Sequence, residues 1–382
     1  MNKIYGFATV SLFIALILIT VVYSYTQVDL NLTLSTSSFY LQLQKPLTQL
    51  GYFNRPLSGS IFLGLFIGLF IVYGMWLWGI VSQRLHPRLI KIGIITSFLL
   101  VLGYAAFSYD LFNYLFDARI TTYYGLDPHY FKALDFPFDP LTRFMRWTHR
   151  YYPYGPGWLL ISLIPSWLGM GKFILTMFLF KGMFALFHAV NLWLLHRLLI
   201  HIKVKLPLFW LAVYAFNPLV LIESLVSPHN EVVMLCFTLF AFWLLIKNKV
   251  YGGVLAFAVS LSIKYISAVL TPLLIWRQKI DSRFFTVAWY LWIIALIPVI
   301  LMREVYSWYF IPIIAIAALG GSFIPFMVSL ALSGITLIRY YPFLLLGEYS
   351  AQSYELQLIA MVVSGVLLVP ASLWLWQKKS AG

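Results

Sequence analysis

The chain is organised around one polar stretch, Ser108-Tyr-Asp-Leu-Phe-Asn-Tyr-Leu-Phe-Asp-Ala-Arg119, which continues to Tyr151-Tyr-Pro-Tyr-Gly-Pro156. This stretch opens the longest polar interval in a sequence that is otherwise almost entirely apolar, and the interval contains five of the seven aspartates. One apolar segment precedes it and another follows it. We therefore expect these carboxylates to lie at a membrane surface rather than in a soluble domain.

The composition excludes a soluble globular protein, since 62% of residues are apolar and only 10% are charged, with a mean hydropathy of +0.88. In lipid, such a chain satisfies its backbone polar groups only as helices or as a closed barrel. The sequence lacks strand-like alternation, whereas apolar runs close to helix-spanning length recur. It predicts an all-α polytopic membrane protein, a single domain over residues 1–382 with about 12 transmembrane helices.

The formal net charge of +14 is explained by topology, not by nucleic acid, because the basic residues cluster in short loops between apolar runs. Lys3 places the N-terminus inside, and the alternation of loops then places the C-terminus inside as well. In this arrangement eleven of the twelve acidic residues lie outside, with Asp281 as the exception. Residues 109–156 become the main extracytoplasmic loop of a multi-pass cell-membrane protein, or of an endoplasmic reticulum protein in a eukaryote, and we expect this to be the catalytic loop because the acidic residues concentrate on the outer side.

Residues 157–180 are apolar but are interrupted by Pro165, Gly169, Gly171 and Lys172. Two crossings need about 40 residues, and this segment has roughly half that number. We expect a re-entrant or interfacial hairpin on the outer side, with the next membrane helix beginning at Lys181.

The first carboxylates of the polar interval are spaced for a helix. Asp110, Asn113, Tyr114 and Asp117 fall on one stripe, which predicts an amphipathic helix at the outer interface with its apolar side toward the membrane. The two aspartates are about 10 Å apart along this helix, too far to share a proton. Asp110 is a candidate general base for an acceptor hydroxyl, and Asp117 a candidate to orient substrate or support a metal. The alternative is that both are solvated or pair with Arg119.

Four cations on the outer side are candidates to bind a phosphate, such as that of a lipid carrier. Arg150 has guanidinium geometry suited to phosphate, although its aromatic neighbours would also make it an interface anchor. Lys264 lies between two short helices, where an ionisable side chain is a functional candidate and snorkelling is the alternative. Arg303 and Arg339 are expected at the same level.

A second polar cluster comprises Glu223, His229, Asn230 and Glu231. We interpret it as a substrate-contact site. Metal binding is the alternative, although the spacing matches no established metal motif. Asn230 as an N-cap with Glu231 in the first helical turn would explain part of the cluster without function.

Together these stretches resemble the GT-C class of integral-membrane glycosyltransferases, in particular the polyprenol-phosphate-mannose-dependent mannosyltransferases. The resemblance rests on the order of four motifs: Asp110-Leu-Phe-Asn-Tyr-Leu-Phe-Asp-Ala-Arg119 with Gly125-Leu-Asp-Pro-His-Tyr130, Arg150-Tyr-Tyr-Pro-Tyr-Gly-Pro156, Ser227-Pro-His-Asn-Glu231, and Ser262-Ile-Lys-Tyr265. Two positions depart from the family pattern. Glu231 replaces the usual aspartate, and no second acid adjoins Asp110 to form a metal-binding Asp-x-Asp pair.

The resemblance implies an inverting transferase that takes mannose or another hexose from a polyprenyl-phosphate donor. The acceptor would be an extracytoplasmic glycan or lipid. It adds Arg119 and Tyr154 as substrate-binding candidates, and it implies neither nucleic acid nor a firm cofactor or metal. Two alternative functions remain: a transporter or flippase of polyprenyl-linked or small polar solutes, and a non-catalytic scaffold. A transporter would use ionisable residues within its helices, such as Lys181, His188 and Glu223.

Overall fold

A computed structural model describes residues 3–275, 279–302, 304–348 and 350–381, and this part of the chain contains helices, turns and loops but no β-strand. Its α-helices are α1 (Lys3–Ser24), α2 (Ser38–Thr48), α3 (Arg55–Val81), α4 (Pro87–Ser97), α5 (Asp110–Thr122), α6 (Pro156–Leu168), α7 (Phe173–His201), α8 (Pro207–Ala215), α9 (Pro218–Leu221), α10 (Glu231–Ile246), α11 (Val250–Ile263), α12 (Thr271–Ile275), α13 (Ser282–Met302), α14 (Ile311–Gly320), α15 (Phe323–Leu337), α16 (Tyr340–Leu346) and α17 (Ala351–Ala381).

Within the described residues, six helical segments are long and apolar enough to cross a bilayer. They are Lys3–Gln27, Arg55–Val81, Phe173–His201, Ser282–Met302, Phe323–Leu346 and Ala351–Lys378. A seventh is possible if Pro207–Ala215 and Pro218–Val226, which are bent by 53° at their junction, form one span. This architecture confirms the prediction of a polytopic α-helical membrane protein.

The predicted count of about twelve crossings is not supported, because several apolar runs fold as shorter helices. The 16-residue α10 is an example. At 1.5 Å per residue it extends about 24 Å, less than the roughly 30 Å hydrocarbon core of a bilayer. It is instead an interior helix that contacts α7, α11 and α14. Hydropathy alone does not distinguish a helix buried in protein from one that crosses lipid.

The expectation that a membrane helix begins at Lys181 is wrong. Helix α7 begins at Phe173, so it includes the second half of the segment that we interpreted as a hairpin. The chain turns between α6 and α7, where Met170 and Gly171 both have positive φ angles. Lys181 is tolerated inside α7 because its Nζ atom donates to the carbonyl oxygens of Gly103 (2.5 Å) and Val226 (2.8 Å).

Helix α5 forms where the sequence predicts it, but it does not lie at an interface on one apolar face. Residues on both of its sides are buried: Asn113 and Tyr114 on the polar stripe, and Phe112 and Leu115 on the other side. The helix packs against α6 and α7. Its N-terminus therefore carries Asp110 into the protein.

Candidate active site

The carboxylate of Asp110 lies beside the imidazole of His229, which in turn lies beside the carboxylate of Glu223. The distances are 3.3 Å from His229 Nδ1 to Asp110 Oδ2 and 3.1 Å from His229 Nε2 to Glu223 Oε2. Both contacts are ion pairs by distance, without the alignment of hydrogen bonds. The His229 and Glu223 side chains are fully buried, whereas 16% of the Asp110 side chain remains exposed. Of the row formed by the side chains of Asp110, His229 and Glu223, Asp110 is thus the one that a ligand can reach.

Two acids around one imidazole determine the charge of His229. Burial lowers the pKa of His229, but its contacts with Asp110 and Glu223 and their negative charges outweigh that effect and raise the pKa to about 9. A histidine with this pKa is protonated at neutral pH. The row therefore consists of two carboxylates with an imidazolium between them.

Glu223 is held in place by two hydroxyl groups from distant parts of the chain. Its Oε1 atom accepts hydrogen bonds from Ser307 Oγ (2.5 Å) and Tyr340 OH (2.8 Å). Glu223 itself lies in a π-helical turn, Ile222–Val226, which follows α9. These bonds to a charged acceptor compensate for removing the carboxylate from water.

The ring of His229 is the first layer of a stack of planar groups. It lies on Trp308 at a centroid distance of 3.8 Å, and Trp308 lies on Tyr306 at 4.5 Å. The guanidinium of Arg339 lies over the ring of Tyr306, with its Cζ atom 4.4 Å from the ring centroid. This stack limits rotation of the imidazole.

Lys264, a predicted phosphate ligand, forms an ion pair with Glu231. It follows the last residue of α11 in an extended conformation, with φ −152° and ψ 124°. Its side chain is 24% exposed and that of Glu231 only 2%. Because His229, Asn230 and Glu231 are consecutive, the pair with Glu231 brings Lys264 into the same cluster as Asp110.

Close backbone packing brings the other motifs to this cluster. A Cβ atom on Gly155 would lie 2.1 Å from the carbonyl oxygen of Ser262, and one on Gly157 would lie 2.0 Å from Ser262 Oγ. Glycine at both positions therefore lets the entry to α6 pack against the end of α11, directly before Lys264. On the other side, the backbone N–H of Phe107 donates to Ser227 Oγ (3.0 Å), which joins the loop before Asp110 to the loop before His229.

Asp117 and Arg150 lie at the edge of the cluster. Burial raises the pKa of Asp117 to about 8, with the charge of Arg150 opposing and that of Asp110 adding to the shift. Asp117 is thus largely protonated at neutral pH. Arg150 is exposed and packs over Trp147. Tyr154 packs edge-on against the buried ring of Tyr114 on α5, at a centroid distance of 5.4 Å.

Two predicted ligands, Arg119 and Arg339, are paired with other groups. The Nε atom of Arg119 lies 2.7 Å from the buried Asp139 Oδ2, so its ion pair is with Asp139. A substrate-binding role for Arg119 stays a prediction. Arg339 is paired with Glu304 (2.8 Å) and donates to the carbonyl of Val305. Arg303 lies outside the described residues.

Asn230 occupies the predicted N-cap position of α10, but its side chain does not cap the helix. Its amide is fully buried and finds no hydrogen-bond partner within the described part of the chain. Glu231 Oε2 is likewise buried and has no hydrogen-bond partner among the described residues. Groups of this kind are costly unless a ligand or water satisfies them. Over the described ranges, no group of three or more His, Cys, Asp and Glu residues is arranged to hold a metal ion.

Ser307, Trp308 and Tyr340 complete the site, although the sequence did not identify them as candidate site residues. Ser307 and Trp308 stand in an aromatic stretch, and Tyr340 directly follows Arg339. From the sequence alone, Tyr340 would be interpreted as an aromatic anchor at the membrane interface. Only its approach to Glu223 gives it a role.

Comparison with known proteins gives one family match. Residues 33–280, more than half of the chain, match the family described as "Alpha-(1->6)-mannopyranosyltransferase, N-terminal domain". The match spans α2 to α12 and so includes the Asp110, His229 and Lys264 motifs. No solved structure matches the chain.

Two relatives carry the same name, Alpha-(1->6)-mannopyranosyltransferase A. The protein from Mycobacterium tuberculosis is 26% identical over 186 residues, which is 46% of this chain and 34% of that protein. The protein from Corynebacterium glutamicum is 24% identical over 199 residues, which is 52% of this chain and 39% of that protein. The similarity thus spans about a third of the length of each of these curated relatives.

Proposed function

The chain belongs to the alpha-(1->6)-mannopyranosyltransferase family, and we propose that it is an inverting membrane mannosyltransferase. In this proposal the donor is mannose linked to a polyprenyl phosphate, and the acceptor is a glycan or lipid on the extracytoplasmic side of the cell membrane. The donor's tail lies in the bilayer while the acceptor hydroxyl approaches from water. The site therefore lies at the level of the outer membrane surface.

The main support for this proposal is that His229 lies 3.3 Å from Asp110. His229 also stands only two residues before Glu231, which forms an ion pair with Lys264. A partly exposed carboxylate and a partly exposed ammonium thus belong to one cluster, although their motifs are far apart in sequence. An inverting transfer needs a base on the acceptor side and a cation on the leaving-group side.

Asp110 takes the base role. One acceptor hydroxyl oxygen attacks the anomeric carbon of mannose, and its proton passes to the Asp110 carboxylate. The bond from that carbon to the phosphate oxygen breaks, and the electron pair leaves with the polyprenyl phosphate. The configuration at the anomeric carbon inverts because attack and departure occur on opposite faces.

His229 and Glu223 act as positioning residues. The imidazolium holds one oxygen of Asp110, which leaves the other oxygen for the acceptor hydroxyl. Glu223, fixed by Ser307 and Tyr340, keeps the ring protonated and oriented. Preorganised charges of this kind do not have to reorient during the reaction.

Lys264 neutralises the phosphate as negative charge develops on it. Arg150 and Arg339 are further candidates for this role. The donor phosphate is a diester with one negative charge and gains a second when the bond to mannose breaks, so its attraction to Lys264 increases during the reaction. Asn230 and Glu231 offer unpartnered polar atoms to sugar hydroxyl groups, and Tyr154 offers an aromatic face.

The experiment is a transfer assay with purified protein in lipid vesicles. Radiolabelled mannose is supplied either on a polyprenyl phosphate or on a nucleoside diphosphate, with a mannan acceptor. We expect label in the acceptor from the lipid donor alone. Transfer from the nucleotide sugar without lipid phosphate contradicts the donor assignment, and an absence of transfer from both contradicts the enzyme.

A transporter remains the second candidate, favoured by the 53° bend between Ala215 and Pro218, since broken helices line transport sites. The buried Lys181 supports it less, because two backbone carbonyls already satisfy its ammonium. Vesicle uptake of a polyprenyl-linked sugar without its transfer would favour this candidate.

A further inference from the structure

Lys181 is a buried cation for which the proposed chemistry has no role. It lies within α7 and is only 1% exposed. A buried lysine is ordinarily paired with an acid, but no ion pair of Lys181 is found in the described part of the chain. Its Nζ atom instead binds backbone, donating to the carbonyl oxygens of Gly103 (2.5 Å) and Val226 (2.8 Å).

These two carbonyls belong to the two segments that carry the candidate site. Gly103 stands seven residues before Asp110, in the segment that leads into α5. Val226 is the last residue of the π-helical turn and stands three residues before His229. One ammonium therefore joins the segment that ends at Asp110 to the segment that ends at His229.

Both carbonyls stand where helical hydrogen bonding ends. Gly103 is the C-cap of the 3-10 helix Phe98–Leu102, and Val226 closes its own turn. Carbonyls at the end of a helix have no donor within that helix, and the interior of a membrane protein offers no bulk water to replace one. Lys181 supplies both donors from a third element, since α7 contacts the 3-10 helix, the π-helical turn and α5.

The same two segments share one further hydrogen bond, from the backbone N–H of Phe107 to Ser227 Oγ (3.0 Å). The contact that they bring about, between Asp110 and His229 at 3.3 Å, is an ion pair without hydrogen-bond alignment. Its length therefore depends on how closely the backbones of the two segments are held together.

We propose that Lys181 is a positioning residue, which sets the separation of Asp110 and His229 by binding Gly103 and Val226 at once. An apolar side chain of similar length would fill the same volume, and replacing a buried charge in this way is often neutral for stability. It would remove the shared donor, so the two segments would be free to move apart inside a folded bundle. The inference rests on the proposed function for the role of Asp110.

The kinetic test compares Lys181→Met with a matched control, His188→Phe. His188 is a second buried polar residue, two turns further along α7, and its ring packs between Phe98 and Tyr214, where a phenyl ring fits. Misplacement of a catalytic group by about 1 Å can cost about 100-fold in rate. We expect the kcat of Lys181→Met, per folded protein, to fall about 10- to 100-fold.

The KM for the lipid donor should stay within about twofold, because the contact of Lys264 with Glu231 is untouched and a twofold change is below about 0.5 kcal/mol. His188→Phe should keep both constants. A raised KM with an unchanged kcat, or a normal kcat in Lys181→Met, overturns the inference.

Lys181→Gln is the conservative variant, since its amide keeps two N–H donors on a side chain shorter by one bond. Its kcat should lie between those of Lys181→Met and the unmodified protein. If Lys181→Met fails to fold, Lys181→Gln carries the test against the unmodified protein, and a normal kcat in it overturns the inference.

A second measurement does not depend on turnover. Hydrogen–deuterium exchange of the full-length protein in detergent, read by mass spectrometry, reports on residues 103–109 and 222–230 separately. We expect exchange in both segments to rise together, several-fold, in Lys181→Met and to stay unchanged in His188→Phe. A rise in one segment alone, or an equal rise throughout the chain, overturns the inference. If the unmodified protein transfers no mannose while this coupled pattern holds, the proposed function fails and the connection through Lys181 stands.

Discussion

The imidazole of His229 lies 3.3 Å from the carboxylate of Asp110, and its other nitrogen lies 3.1 Å from Glu223. This arrangement pairs a buried cation with two acids, one partly open to a ligand and one fully enclosed. The geometry of the site therefore depends on the protonation state of His229. The role of each neighbouring side chain can be tested by substitution.

Asp110→Asn should abolish mannose transfer while leaving the protein folded. The substitution keeps the shape of the side chain but removes its basicity, and general-base catalysis typically contributes about 10²–10⁴-fold. Turnover in vesicles and the thermal midpoint in detergent measure the two effects. Asp127→Asn, which changes an exposed carboxylate in the same loop, is the control and should be active. Near-normal turnover of Asp110→Asn would refute the base assignment.

Alkaline pH should destabilise the protein through His229. A histidine whose folded pKa is raised contributes stability that is complete below its unfolded pKa of about 6.5. That contribution is lost as the pH rises through about 9, the folded pKa of His229. The thermal midpoint should therefore fall between about pH 7 and pH 10, together with transfer activity.

The groups that face His229 are Asp110 from α5, Glu223 from the turn after α9, and Trp308 from the segment before α14. His229→Gln removes the titrating group and should flatten the fall in the thermal midpoint over this range. Should the variant keep the same pH dependence as the unmodified protein, another group causes it.

Lys264→Ala should weaken both folding and donor binding. It leaves the carboxylate of Glu231 buried without its cation, and loss of one partner of a buried pair costs about 3–5 kcal/mol. The double variant Lys264→Ala/Glu231→Gln should regain most of the lost thermal stability, because the uncompensated charge is gone. Its KM for the lipid donor should stay high. An unchanged KM in the double variant would show that Lys264 serves only the fold.

Tyr340→Phe should destabilise the protein by about 1.5–3 kcal/mol, since it removes one of two hydroxyl donors to the buried carboxylate of Glu223. The unfolding midpoint in detergent gives the effect, with Tyr341→Phe as a neighbouring control. Ser307→Ala should act on the same oxygen, so the two substitutions together are expected to be non-additive. Simple additivity would mean that Glu223 does not couple them.

The sequence alone established the class of the protein and predicted where its chemistry takes place. Composition and apolar periodicity are properties of each segment, so they predicted a helical membrane protein, the helix beginning at Asp110 and the break at Lys264. The order of four motifs indicated a resemblance to mannosyltransferases, and the family match confirms that the chain belongs to the alpha-(1->6)-mannopyranosyltransferase family. The roles of the individual residues stay predictions.

What the tertiary structure decided was which charges meet. The sequence around Arg119 does not show that it pairs with Asp139, and the sequence around Lys264 does not show that it pairs with Glu231. Tyr340 reaches Glu223 only because α16 packs against the rest of the bundle. The same holds for α5, whose stripe looked amphipathic but is buried on both sides, and for the short helices mistaken for crossings. Periodicity describes one element at a time, whereas ion pairs and burial depend on how separate elements pack.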